Sequence, residues 1–221
     1  GKAITLGSLF MITEDTAYIG QTIINGGGAE VVRFIDDEDV NSILEGFTLT
    51  NGGFGISLNN ASPTIRYVHI INNSEAGIYC TYSNPSISYS IIKNNSGDVA
   101  GGIDLNNSDP ILLNVLISDN TSSSAGGSGG IYAIYSNPVL QFVTVANNIN
   151  SAGENVGGIL LHYSNCTMTN SIIWNNSDLE FYIDDASLTA TFSNIQGGWE
   201  GEGNIDADPL FCNADSSDFT L

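Results

Sequence analysis

The chain is short of positive charge. It holds four Lys and Arg against 24 Asp and Glu, a formal net charge of −20 over 221 residues. All four basic residues (Lys2, Arg33, Arg66, Lys93) lie before position 94, and fifteen acids follow with no cation among them. Such a surface repels nucleic acid and acidic polysaccharides, because it offers nothing to pair with their anions. It suits neutral partners or cations, and it also serves as a plain solvated coat. No apolar run reaches the length of a membrane span, so this stretch is not expected to insert in a bilayer. The three Cys (Cys80, Cys166, Cys212) are an odd number, far too few for a disulfide scaffold of this length. Cys80 replaces a small apolar residue and reads as one. No helical period is found. The chain starts at Gly1 with no leader and stops at Leu221 in strand-like sequence. Both ends read as cut from a longer protein.

What is abundant is repetition. Gly-Ile recurs at Gly55, Gly77, Gly102, Gly130 and Gly158. Eight residues later come Pro63, Pro85, Pro110, Pro138 and then Cys166. Nine further on come pairs ending in Asn73, Asn95, Asn120, Asn148 and Asn176. Only the loop between each pair and the next Gly changes length, so the repeat runs from 22 to 28 residues. A degenerate copy precedes the five, and a seventh starts near Glu180, its Phe181 and Ile183 matching Ile159 and Leu161 at a shift of 22.

Each body alternates apolar and polar residues with period two, the mark of a half-buried strand. Ile56 and Leu58, Ile78 and Cys80, and their equivalents point one way. Ile65, Ile87, Leu112, Leu140 and Met168 follow the corner, then Ile70, Ile92, Ile117, Val145 and Ile173. One copy cannot bury such a face alone, so copies must stack. The length is wrong for propeller blades, and the helical half of a leucine-rich repeat is missing. What remains is a solenoid whose strands pair in parallel with their equivalents about 4.8 Å away, some 34 Å long for seven coils. Pro63, Pro85, Pro110 and Pro138 suit a corner, where no ladder N–H is needed. Asn73, Asn95, Asn120, Asn148 and Asn176 are expected to take the left-handed conformation at another corner and to stack amide on amide. Coils are expected over residues 1–198, with an irregular segment over 199–221 that closes or leaves the stack. Exposed end coils could join chains end to end.

These motifs resemble the right-handed parallel β-helix proteins, the pectin-lyase-like superfamily, and more narrowly large bacterial secreted or surface proteins. Gly203–Phe211, reading Gly-Asn-Ile-Asp-Ala-Asp-Pro-Leu-Phe, is similar to a segment that follows the last coils there. The resemblance implies an all-β right-handed parallel β-helix solenoid of about seven coils at a secreted or cell-surface location. It also implies that a ligand would lie outside the first strand of each coil. It is weak for activity, since the fold carries lyases, hydrolases, epimerases and non-enzymatic adhesins.

Counting outward positions on that strand places Tyr79, Tyr82, Tyr132, Tyr135 and Tyr163 in an aromatic strip around Asp104 and Asn107, with His162 on the same face. Tyr suits sugar rings, although stacked Tyr also steadies parallel strands with no ligand present. Catalysis has little to stand on. Asp104 is the one carboxylate there, its counterparts Tyr79 and Tyr132 leave it without a pair, and His162 lies two coils away. Asp36, Asp37 and Asp39, or Asp184 and Asp185, could offer oxygen to Ca²⁺. Neither run has the spacing of a known calcium loop, and solvated acidic turns suit both better. The expected role is a structural display module or a binder of neutral polysaccharide without a cofactor. The alternative is a polysaccharide lyase or glycoside hydrolase working on the same face.

Overall fold

A computed structural model describes residues 3–153, 156–214 and 218–219. Its body is a stack of parallel strands with three faces. The first face is a seven-stranded sheet: Val32–Phe34, Ile56–Asn59, Ile78–Thr81, Ile103–Asn106, Ile131–Ile134, Val156–His162 and Leu179–Asp184. The second and third faces belong to one 14-stranded sheet that folds along its length. Ser86–Lys93 and Ile111–Ser118 cross the fold line as single strands, each pairing with two shorter ones in a neighbouring coil. A short sheet of Ser96–Gly97, Thr121–Ser122 and Ile149–Asn150 binds the variable loops together, an element the loop composition does not announce.

The expected inward residues form the core. Ile56, Ile78, Ile87, Ile92, Leu105, Ile117, Leu140, Met168 and Ile173 all sit in one continuous buried cluster. Each pairs in register with its own equivalent, as Ile87 does with Ile65 and Leu112. Gly-Ile opens each coil because the coils touch there. A Cβ on Gly130 would lie 2.5 Å from the Gly158 carbonyl oxygen and 2.9 Å from Val145 Cγ1.

The Asn pairs divide their labour in a way the sequence reading merged. The left-handed corner is held by the first member: Asn72, Asn94, Asp119, Asn147 and Asn175 have φ of 55–56°. The second member is buried and makes the ladder. Asn95 Nδ2 donates to Asn120 Oδ1 at 3.0 Å, Asn120 Nδ2 to Asn148 Oδ1 at 3.0 Å, and Asn148 Nδ2 to Asn176 Oδ1 at 2.9 Å. Each Oδ1 also accepts the backbone N–H of the preceding ladder Asn. At the last coil Glu180 ends the ladder, accepting from Asn176 N and Nδ2. Its burial raises its pKa even so. A second ladder of Ser83, Ser108, Ser136 and Ser164 runs up the Pro corner, each hydroxyl accepting the N–H of its predecessor. The prolines there keep their carbonyls in the parallel ladder: Ser86 N donates to Pro63 O and Ile111 N to Pro85 O. Pro138 holds Thr167 N in the same way, and Pro110 holds Val139 N.

Two short helices interrupt the first coil, Phe10–Thr13 and Ala17–Gln21, where none was expected. They are too short for a helical period to be read. Phe10 packs its ring against Tyr67 at 4.7 Å, so a tertiary contact selects this helix. Beyond the last coil, Trp199 covers Phe181 (5.3 Å between rings), while Phe192 N donates to Glu202 O and Ile195 N to Ile205 O. The other end is less covered: Ile4, Leu6 and Ile23 are exposed.

Candidate functional site

Alternation along the first face leaves two outward columns. One runs Ser57, Tyr79, Asp104, Tyr132, Leu160, Tyr182, and the other Asn59, Thr81, Asn106, Ile134, His162, Asp184. Parallel, in-register pairing stacks each residue on its equivalent, so a column is a stripe along the solenoid axis. Tyr132, Leu160 and Tyr182 floor a groove of about 430 Å³. His162 forms one edge, and Gly126, Val156 and Leu179 form the opposite wall. The loop carrying Gly126 stands there because Ser123 N donates to Gly97 O and Ser128 N to Val99 O.

Asp104 sits beside Tyr132, one coil beyond the groove floor. Its side chain is half-buried and makes no hydrogen bond or ion pair with a described residue. Burial alone pushes its pKa to about 6. Its charge in turn helps burial to raise the Tyr132 hydroxyl and the Cys80 thiol. Its in-register neighbours are Tyr79 and Tyr132, so the column supplies no second carboxylate. At the opposite end His162 Nδ1 lies 2.8 Å from Asp184 Oδ2. The carboxylate accepts from Nδ1 and so orients the ring. Nε2 has no partner among the described residues. The pair was legible: the shift of 22 that matches Phe181 with Ile159 also sets Asp184 beside His162. Reading Asp184 as a solvated turn residue or a cation ligand hid it.

Residues 6–142 match the family model described as a right handed beta helix region. The chain belongs to that family. No curated protein and no solved structure matches it. Family membership settles the right-handed β-helix; it assigns no ligand and no chemistry.

Within this β-helix the expected Tyr strip divides in two. Tyr79 and Tyr132 stand on the first face, and Tyr79 stacks on Phe54 at 5.1 Å. Tyr82, Asn107, Tyr135 and Tyr163 stand at the corner just past it, in the left-handed region with φ of 48–50°. Strict alternation fails at that corner, which turns the side chain off the face. Tyr135 and Tyr163 stack on each other at 5.1 Å and 5°. The charge of Asp185 beside Tyr163 is the main reason that hydroxyl titrates above its ordinary value. Asp184 and Asp185 thus serve two different neighbours, His162 and Tyr163. Asp36, Asp37 and Asp39 lie in the turn before Ile43–Glu45. There Asp39 accepts from Asn41 N and Nδ2, and Glu38 accepts from Asp36 N. Among the described residues no three His, Cys, Asp or Glu gather closely enough to hold a metal ion. Cys80 and Cys166 are buried thiols and Cys212 an exposed one.

Proposed function

We propose that this right-handed β-helix is an extracellular or cell-surface module that binds a neutral polysaccharide in the first-face groove. The observation that carries the reading is the groove floor: two Tyr rings and a Leu in one stripe, with the polar His162–Asp184 pair along the edge. Aromatic faces pack on the apolar faces of sugar rings while their hydroxyls meet polar neighbours. A protein of charge −20 selects against anionic chains. Binding needs neither a cofactor nor a metal. A glycan array tests the reading. Wild type should retain neutral glycans, and Tyr132→Ala or Tyr182→Ala should weaken them roughly five- to tenfold, the value of one aromatic contact. Unchanged binding in both variants refutes the groove.

One observation favours a second reading, a glycoside hydrolase or lyase. Asp104 is unpartnered and keeps its proton to about pH 6, as a general acid must. Release of reducing ends or unsaturated uronides, abolished by Asp104→Asn, would replace the binding reading.

A further inference from the structure

The fold line between the second and third faces carries a column that the first-face reading does not use. In coil order it reads Tyr67, Tyr89, Asn114, Phe142, Asn170, Phe192. All six have a left-handed backbone with φ between 49° and 54°, and every member from Tyr89 on is exposed. From Tyr89 on, aromatic and Asn alternate. Asn tolerates this conformation because its short side chain bonds locally, whereas an aromatic residue with its Cβ is strained there. Asn114 and Asn170 show that Asn fulfils the backbone requirement at this corner. The rings at 89, 142 and 192 therefore stand where the fold alone would favour Asn.

Stacking between coils explains Tyr89, which lies 4.9 Å from Tyr67 at an interplanar angle of 6°. It does not explain Phe142. Its column neighbours are both Asn, no described ring packs on it, and it is 53% exposed. Tyr89, Asn114 and Phe142 line one groove of about 590 Å³, walled by Asp218 and Phe219 from the C-terminal segment. The flanking strand positions are Ser88, Leu113, Gln141 and Thr169 on one side and Ile91, Leu116, Thr144 and Ile172 on the other. All eight are uncharged, on a chain whose net charge is −20.

We propose that this column is a second binding site, for a linear neutral polysaccharide of β-1,4-linked pyranoses lying parallel to the solenoid axis. Tyr89 and Phe142 are two coils apart, about 9.6 Å by the strand spacing. In a flat β-1,4-linked ribbon successive rings are flipped, and each advances by close to one strand spacing. Every second sugar then offers the same face, at the interval of the two rings. Asn114 stands opposite the sugar between them, with its amide available to hydroxyls. The eight uncharged strand positions suit a neutral chain, and Asp218 on the wall disfavours an anionic one.

The test uses cellohexaose and mannohexaose as probes, with α-linked maltohexaose and polygalacturonate as comparators, and measures Kd by calorimetry and Tm by circular dichroism. Phe142→Asn and Tyr89→Asn are the variants, since each installs the residue the column already uses. One of the two β-linked hexasaccharides should bind more tightly than both comparators. Phe142→Asn should weaken that binding roughly tenfold and leave Tm equal or higher. An unchanged Kd overturns the proposal. So does a Tm that falls by several degrees, which would make Phe142 a structural residue. Binding lost through Tyr132→Ala or Tyr182→Ala and untouched by Phe142→Asn also overturns it, while leaving the first-face reading intact. Absence of all glycan binding overturns both.

Discussion

Asn120→Ala removes the middle of the buried amide ladder. The Asn120 side chain makes four hydrogen bonds. Its Oδ1 accepts from Asn95 N and Asn95 Nδ2, both at 3.0 Å, and its Nδ2 donates to Asn148 Oδ1 at 3.0 Å and Ile92 O at 2.9 Å. Three of these partners retain something after truncation. Asn95 Nδ2 still reaches Ile70 O, Asn148 Oδ1 still accepts Asn120 N, and Ile92 O has a second lone pair and its place in the sheet. The Asn95 N–H retains nothing. A buried donor left without an acceptor costs about 1–3 kcal/mol, and the remaining lost bonds add about 1 kcal/mol. The expected destabilisation is about 2–4 kcal/mol. Asn94→Ala is the internal control. Asn94 is exposed, with φ of 56°, so Ala there costs only the left-handed strain, about 1 kcal/mol. Urea titration followed by far-ultraviolet circular dichroism ranks the two variants. Because a solenoid can open coil by coil, hydrogen exchange at residues 86–95 should confirm that the loss falls beside the deleted amide. Asn120→Ala costing no more than Asn94→Ala would refute the ladder as a source of stability.

Two further outcomes follow from the same geometry. Gly130→Ala pushes a methyl against the Gly158 carbonyl and Val145, so adjacent coils must part; a loss of roughly 2 kcal/mol or more is expected in the same titration, and a neutral result would contradict the coil spacing. Asp104 has its pKa raised to about 6 in the fold by burial, so the native state holds a proton that the unfolded chain releases near pH 4. Stability contributed by this group therefore falls as pH rises from about 4 to 6, and Asp104→Asn should be more stable than wild type at pH 7 by about 1–2 kcal/mol after allowance for screening at a half-buried site; equal urea midpoints at pH 7 would show that the carboxylate is solvated.

Along one strand, alternation of apolar and polar residues determines which side chains turn inward. Because the repeat stacks in parallel and in register, one coil read correctly gives all of them. That is why Ile87, its partners Ile65 and Leu112, and the buried Asn column were legible before any coordinates. The corners were not. Alternation stops wherever φ changes sign, and sequence does not mark whether Asn94 or Asn95 makes that turn. The same ambiguity placed Tyr82, Tyr135 and Tyr163 on the first face, although each is itself the left-handed residue of its corner. It also left the Tyr89–Phe142 column unread, since Tyr and Phe are not residues that announce a left-handed turn. The sequence by itself determined the solenoid, its period and its core, because those rest on local periodicity repeated coil after coil. Tertiary packing alone sets which outward residues share a stripe, that His162 meets Asp184, and that Phe142 has no ring beside it among the described residues. Those relations join residues one or more whole coils apart across corners that the strand period does not cross.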